Sequence, residues 1–218
     1  MYSLMIKFGQ KEHLEQLQAG VLFCNTVKKF ADDEKDDVRH DPNEGISNLL
    51  KLNKGIIKLR PADSPNEEWK NLPIENGKFT SWRKGNIFCM TRFIINPSEE
   101  LTQFEINPMF DKFGDHYLLV ENQPLFFDRL KAAISKQNYK VSGNDVEYTN
   151  IENQVGERSV FAKDESHSWQ SEYRIYFDTE LETPLFFEMG DISDISTIGS
   201  LTKNHKWEFK LDKPTISN

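Results

Sequence analysis

The sequence predicts an α+β fold with a mixed or mostly antiparallel sheet and two or three helices. Three observations lead there. Ten or so short apolar or alternating runs, bounded by Gly, Pro, Asn and Asp, read as strands, against only two or three helical patterns. These strands and helices do not alternate regularly, as a doubly wound parallel sheet would require. A chain of 218 residues with 37% hydrophobic content, including 16 Phe, 6 Tyr and 4 Trp, can build one aromatic-rich core, so residues 1–218 are expected to form a single domain.

The elements follow in order. Ser3–Phe8 alternates weakly and reads as a first strand. Lys11–Ala19 places Leu14 and Leu17 on one face and stops at Gly20, a good C-terminal cap, so it reads as a short helix. Val21–Cys24 is a second strand, and Thr26–Phe30 a single turn. Residues 31–45 (ADDEKDDVRHDPNEG) form a charged loop, expected to be flexible. Leu49–Leu52 and Gly55–Leu59 are short strands. Residues 60–78 hold Pro61, Pro65 and Pro73 and read as irregular surface anchored by Trp69. Asn86–Ile95 is apolar on both faces, the signature of a strand inside a sheet. His116–Glu121 is a further strand.

The best helix runs from Gln123 to about Asn138, with Asn122 as its cap and Pro124 in its first turn. Phe126, Leu130, Ala133 and Ile134 keep helical spacing. Tyr139–Val141 and Val146–Tyr148 flank SGND, a hairpin signal. Ser159–Ala162, Glu172–Phe177, Leu185–Glu188 and Lys206–Leu211 are the late strands. Ile192, Ile195 and Ile198 recur every third residue, which fits a helical turn.

Composition excludes several function classes. A net charge of −8 disfavours a broad basic grip on nucleic acid, although a small basic cleft stays open. The longest apolar stretch, near Ile87–Ile95, is interrupted by Arg92 and is too short to span a bilayer. The N-terminal residues lack the pattern of a signal peptide, and Cys24 and Cys89 sit in apolar contexts as buried free thiols, so a cytoplasmic location without membrane attachment is expected. The glycines form neither GxGxxG nor a Walker loop, no GxSxG is present, and the five histidines are scattered, so no metal is expected.

Three segments hold the candidate chemistry. In VLFCN, Asn25 lies at a strand end. Arg39, Asp41 and Glu44 follow in a loop that is either a solvated acidic segment with an Asx turn at Asp41 or a substrate-binding loop. In NIFCMTRF, Thr91 sits mid-strand among apolar neighbours, and Arg92 points the other way, with Glu172 as a candidate partner. The third segment is Lys163–Phe177 (KDESHSWQSEYRIYF). Strand alternation puts Gln170, Glu172, Arg174 and Tyr176 on one face. A carboxylate and a guanidinium there are costly to desolvate. They form either a closed ion pair under Trp169 or a carboxylate presented to a pocket, with Trp169 as a stacking wall and an arginine for phosphate.

These segments, in this order, resemble an uncharacterised prokaryotic family of unknown function whose members occur among abortive-infection and phage-defence genes. The matching positions are LFCNTVKKF, the D-x-x-E-G loop of Asp41, Glu44 and Gly45, the strand NIFCMT, then Lys163 and W-x-x-E-x-R at Trp169, Glu172 and Arg174. The layout also loosely resembles the ADP-ribosyltransferase fold, a split-sheet α+β body that binds NAD without a dinucleotide fingerprint. By order along the chain, its three functional positions fall near Lys7, Thr91 and Glu172. Lys7 departs from the Arg or His usual there, and Arg39 or His40 is the substitute.

The resemblance implies an NAD-consuming ADP-ribosyltransferase acting as a toxin or effector between bacteria and phage, with a protein or nucleic-acid acceptor. Glu172 would stabilise the oxocarbenium-like state by bonding the ribose 2′-hydroxyl, Thr91 would orient the site, and Lys7, Arg39, Arg92, Trp169 and Arg174 would hold the cofactor. Asn25, Asp41 and Glu44 would form the substrate loop. The alternative is a non-enzymatic binding module, such as a sensor, an antitoxin partner or an inhibitor of a host protein, with the acidic 31–45 loop as its docking surface.

Overall fold

The computed structural model describes residues 2–34, 38–95, 101–151, 154–201 and 206–210. In chain order the elements are β1 (Tyr2–Gly9), α1 (Lys11–Gln18), β2 (Val21–Thr26), α2 (Val27–Asp32), β3 (Ile46–Leu59), β4 (Lys70–Trp82), β5 (Asn86–Ile95), β6 (Leu101–Glu105), β7 (His116–Val120) and α3 (Gln123–Ile134). The later ones are β8 (Lys140–Asp145), β9 (Glu147–Thr149), β10 (Gly156–Glu157), β11 (Ala162–Asp164), β12 (Glu172–Asp178), β13 (Leu185–Glu188), β14 (Ser196–Ser200) and β15 (Lys206–Lys210). The α+β class is as expected, and the main eight-stranded sheet is antiparallel.

β5 is the pivot of that sheet. Along one edge, Asn86–Thr91 pair with β12, which pairs in turn with β8. Along the other edge two strands share β5. β2 takes Asn86 and Ile87, while β1 takes Thr91 to Ile95. β1 continues to β7 and β14, and β2 continues to β13. The sheet therefore forks, and α1 links the two prongs. Gly20, just past α1, has φ +98°, and a Cβ there would meet the Gly190 carbonyl oxygen at 2.1 Å, so the expected glycine cap is also a close-approach site.

Alternation along β1 divides the core. Met5 joins Leu14, Leu17, Phe88, Phe126 and Phe177 beneath α1 and α3. Leu4, Ile6 and Phe8 face the opposite way and pack with Ile95, Ile106 and Phe110. Phe126 and Leu130 are the buried residues of α3, and Asn122 Oδ1 accepts the Leu125 amide as its cap. Among the described residues, no helix is long and apolar enough to cross a membrane.

Several local expectations need correction. SGND does not turn. It runs through β8, because β12 offers six consecutive backbone partners and tertiary pairing overrides a weak turn preference. The Val146 amide donates to the Glu172 carbonyl outside any hairpin, and β9 pairs in parallel with β11. The Ser159–Ala162 strand is displaced to Ala162–Asp164. Residues 60–78 are not simply irregular. Residues 70–78 belong to a long ribbon formed by β3 and β4, in which Pro73 is tolerated because, among the described residues, β4 pairs only with β3. Trp69 is no anchor. It is 54% exposed and stacks on Arg60 at 4.5 Å. Ile192 and Ile195 share one turn, closed by the Ile195 amide on the Ile192 carbonyl, but Ile198 belongs to β14. Within the 31–45 loop, Val38, Asp41 and Glu44 are buried, so the described part is tied to the core. Residues 35–37 of that loop and 211 of the last expected strand lie outside the described residues.

Candidate functional site

The fork creates the site. Between the residues held by β2 and those held by β1, Phe88, Cys89 and Met90 have no strand partner on that edge of β5. An opening of about 600 Å³ lies there, within the usual range for small-molecule sites. Lys7 stands on β1 just past its last pairing with β5. Its Nζ reaches into the fork, donates to the Cys89 carbonyl at 2.6 Å and lies 5.0 Å from the centre of the Phe88 ring. Burial lowers the Lys7 pKa, and Arg39 pushes the same way, while Glu172 opposes them.

Behind this ammonium lies a buried charge network. Arg174 is fully buried. Its Nη1 and Nη2 grip Glu44 at 2.7 and 3.0 Å, and its Nε donates to Glu172 Oε1 at 2.7 Å. Nη1 also meets the Val160 carbonyl. Lys163 Nζ donates to Glu172 Oε2 at 3.3 Å and to Gln170 Oε1 at 2.9 Å, and Gln170 Nε2 closes the chain on the Val38 carbonyl at 3.0 Å. Two acids and two bases balance. Burial pushes the Glu172 carboxyl upward, but Arg174 and Lys163 overcome it and hold it well below its ordinary range. Burial acts to lower the Lys163 and Arg174 values, yet Glu172 and Glu44 leave both raised.

Local structure explains how the pieces meet. Gly45, at φ +78°, turns the chain directly after Glu44, and a Cβ there would lie 2.3 Å from Val27 Cγ1. Ser171, at φ +42°, ends the 3₁₀ turn Glu165–Gln170, and β12 starts only at Glu172. Glu172 and Arg174 share a face as strand alternation predicts. Gln170 joins them from the turn instead.

The structure brings together seven of the ten expected site residues. Lys7, Asn25, Arg39, Glu44, Thr91, Glu172 and Arg174 all line the cavity. Three do not. Trp169 packs edge-on against Phe110 at 5.0 Å and beside Phe113 at 6.0 Å, inside the second core cluster. Its turn directs it away from the fork. Arg92 binds Asp145 at 3.0 and 3.1 Å, not Glu172, because it falls on the opposite face of β5. Asp41 is buried, and its Oδ1 accepts the Asn43 amide at 2.9 Å in an Asx turn, so it shapes the loop that carries Glu44.

Sequence reasoning missed the rim. Phe23 and Phe186, register partners on β2 and β13, are 46% and 61% exposed, with ring centres 5.1 Å apart. Lys29, Phe30 and Asp33 add to it from α2 and its end. The only sequence signal for the rim was the unusual placement of phenylalanines on exposed strand faces, which is visible once pairing is known. The lining holds Lys7, Lys29, Arg39, Lys163 and Arg174 against Asp33, Glu44 and Glu172, an excess of positive charge in a chain of net −8. Both thiols are free, and burial pushes each of them up, so neither Cys24 nor Cys89 is a ready nucleophile. Comparison of the chain with family models, with curated proteins and with solved structures found no match.

Proposed function

We propose that this chain binds a small anionic ligand carrying a flat ring, of the nucleotide class that includes NAD, in the forked cavity. One observation carries the reading. The Lys7 ammonium stands inside a largely apolar opening, paired with a carbonyl and not a carboxylate. An anionic group of the ligand would supply the missing counter-charge, and Arg39 lines the same wall. The Phe23–Phe186 pair at the rim suits stacking on a ring.

An ADP-ribosyl transfer is the second reading, favoured by one feature. Lys7, Thr91 and Glu172 stand on three adjacent strands around one cavity, with Thr91 in register with Ile6 on one side and Glu172 on the other. Against it, both Glu172 oxygens already accept hydrogen bonds from buried cations, which fits a structural carboxylate. Binding is therefore the better-supported function. A part in bacterial–phage conflict rests on the motif resemblance alone.

The test is thermal unfolding with NAD, ADP-ribose and nicotinamide, alongside nicotinamide release. A ligand at 100 times its dissociation constant adds roughly 2.7 kcal/mol, a visible shift in midpoint. NAD and ADP-ribose are expected to shift the wild type, and Lys7→Met is expected to abolish the shift. The ligand-free midpoint of Lys7→Met should hold or rise, because burial works against the ammonium. If NAD and ADP-ribose leave the wild-type midpoint unmoved, the binding proposal fails. Shifts without nicotinamide release would remove the transferase reading and keep the first.

A further inference from the structure

Three lysines line the forked opening, and they differ in what holds them. Lys163 is bound to Gln170 and Glu172 inside the sealed network, at 2.9 and 3.3 Å. Lys29 pairs with Asp33 at 2.7 Å. Lys7 has no carboxylate partner among the described residues. Its Nζ donates once, to the Cys89 carbonyl at 2.6 Å, and rests beside the Phe88 ring. An ammonium carries three N–H donors, and among the described residues the other two find no acceptor. A neutral amine fits such a place better, with one donor used and a lone pair left over.

The surrounding charges agree. Burial favours the neutral form of Lys7, and Arg39 on the same wall pushes the same way. Cys89 and Cys24 could hold a proton on Lys7 only as thiolates, and burial keeps both as thiols. The Glu172 charge is already taken by Arg174 and Lys163. Lys7 is half-buried, so part of its side chain stays open to the cavity. A desolvated lysine beside a second cation is the usual setting of an amine nucleophile.

We propose that Lys7 is the nucleophile of this cavity and forms an imine with an aldehyde or ketone that carries an anionic group. This assignment rests on the binding reading above, which supplies the ring and the anionic group, and adds the carbonyl. The Lys7 nitrogen attacks the carbonyl carbon, and the C=O π electrons move to the oxygen. Both protons of the amine then leave with that oxygen as water, and a C=N bond remains. Arg39 meets the anionic group, and the Phe23–Phe186 rim takes the ring. Lys163 cannot replace Lys7, because Glu172 and Glu44 keep it an ammonium.

Pyridoxal 5′-phosphate, an aromatic aldehyde with a phosphate, is the probe. It is mixed with the full chain at equal concentration, the imine is reduced with borohydride, and the labelled peptides are mapped by mass spectrometry. The expected result is one pyridoxyl group per chain, on the peptide holding Lys7, ahead of exposed lysines such as Lys131 and Lys140. Excess ADP-ribose should protect Lys7. Lys7→Arg keeps the positive charge and lacks the nucleophile, so it should lose the label and keep the thermal shift with ADP-ribose. Label spread evenly over the exposed lysines, or a Lys7→Arg chain labelled as strongly as wild type, overturns the proposal. The binding reading survives that failure if ADP-ribose still shifts the melting midpoint. Selective labelling of Lys7 that ADP-ribose does not block supports the imine and removes the nucleotide class.

Discussion

Arginine meets carboxylate at two very different depths in this sheet. On β12, Arg174 holds Glu44 and Glu172 with side-chain exposures of 1%, 2% and 7%. On β5, Arg92 holds Asp145 with exposures of 27% and 54%. The geometry is similar, with N···O separations of 2.7 to 3.1 Å. The physics is not. In the buried network each charge has surrendered its hydration and depends on its partners, so the set is stable as a whole and fragile to the loss of any member. In the surface pair water competes with both partners, and either can leave at little cost. The sealed network welds the loop carrying Glu44 to β12 and the turn before it. The surface pair decorates an edge.

The largest break in this contrast is Arg174→Met. It keeps much of the side-chain volume and removes the only guanidinium between two buried acids. Glu44 and Glu172 then face each other with Lys163 alone to offset them. A loss of about 3–5 kcal/mol is expected in urea unfolding, a large share of an ordinary total stability of about 5–15 kcal/mol. A loss below about 1 kcal/mol, the range of an exposed pair, would show that water reaches the network.

Glu172→Gln sharpens the comparison through pH. The Glu172 carboxyl is depressed in the folded chain, since Arg174 and Lys163 outweigh burial. A depressed acid contributes stability that is present above its unfolded value, near 4.5, and is lost as pH falls toward the folded one. The expected loss at pH 7 is about 1.5–3 kcal/mol, that of hydrogen bonds to charged groups. The gap between wild type and variant should stay flat from pH 7 to about 5 and shrink below 4.5. A gap that stays constant down to pH 3 would mean that Glu172 keeps the same proton affinity folded and unfolded, and the sealed-network account would fail. A catalytic acid open to solvent would instead leave the melting midpoint of Glu172→Gln nearly unchanged.

The two depths also mark what could be read from the chain. The D-x-x-E-G and W-x-x-E-x-R segments are each weak patterns, yet Glu44, Glu172 and Arg174 meet in one network, together with Lys163. Strand alternation placed Glu172 and Arg174 on one face correctly, because a period of two survives any detail of tertiary packing. Trp169 was misplaced because the left-handed Ser171 interrupts the alternation one residue before β12, and no residue type announces that conformation in a serine. The fork was not legible at all. It depends on β1 and β2 sharing one edge of β5, a long-range pairing that leaves no local trace. The ribbon was misread for a related reason: Pro73, with Pro61 and Pro65 before it, signals irregular chain, but an edge strand such as β4 accepts Pro73.

The smallest expected effect belongs to the surface pair, and it tests the contrast from the other side. Arg92→Ala and Asp145→Ala should each cost about 0.5 kcal/mol, with a double-mutant coupling below about 1 kcal/mol. Raising the salt concentration should erase that coupling, since screening acts on exposed charges. Arg92 also lies over the Tyr173 ring at 5.7 Å, which survives Asp145→Ala and is lost in Arg92→Ala, so the arginine change should be the costlier of the two. A coupling above about 2 kcal/mol that resists salt would place this pair with the buried network, and depth would then not set the strength of the two pairs.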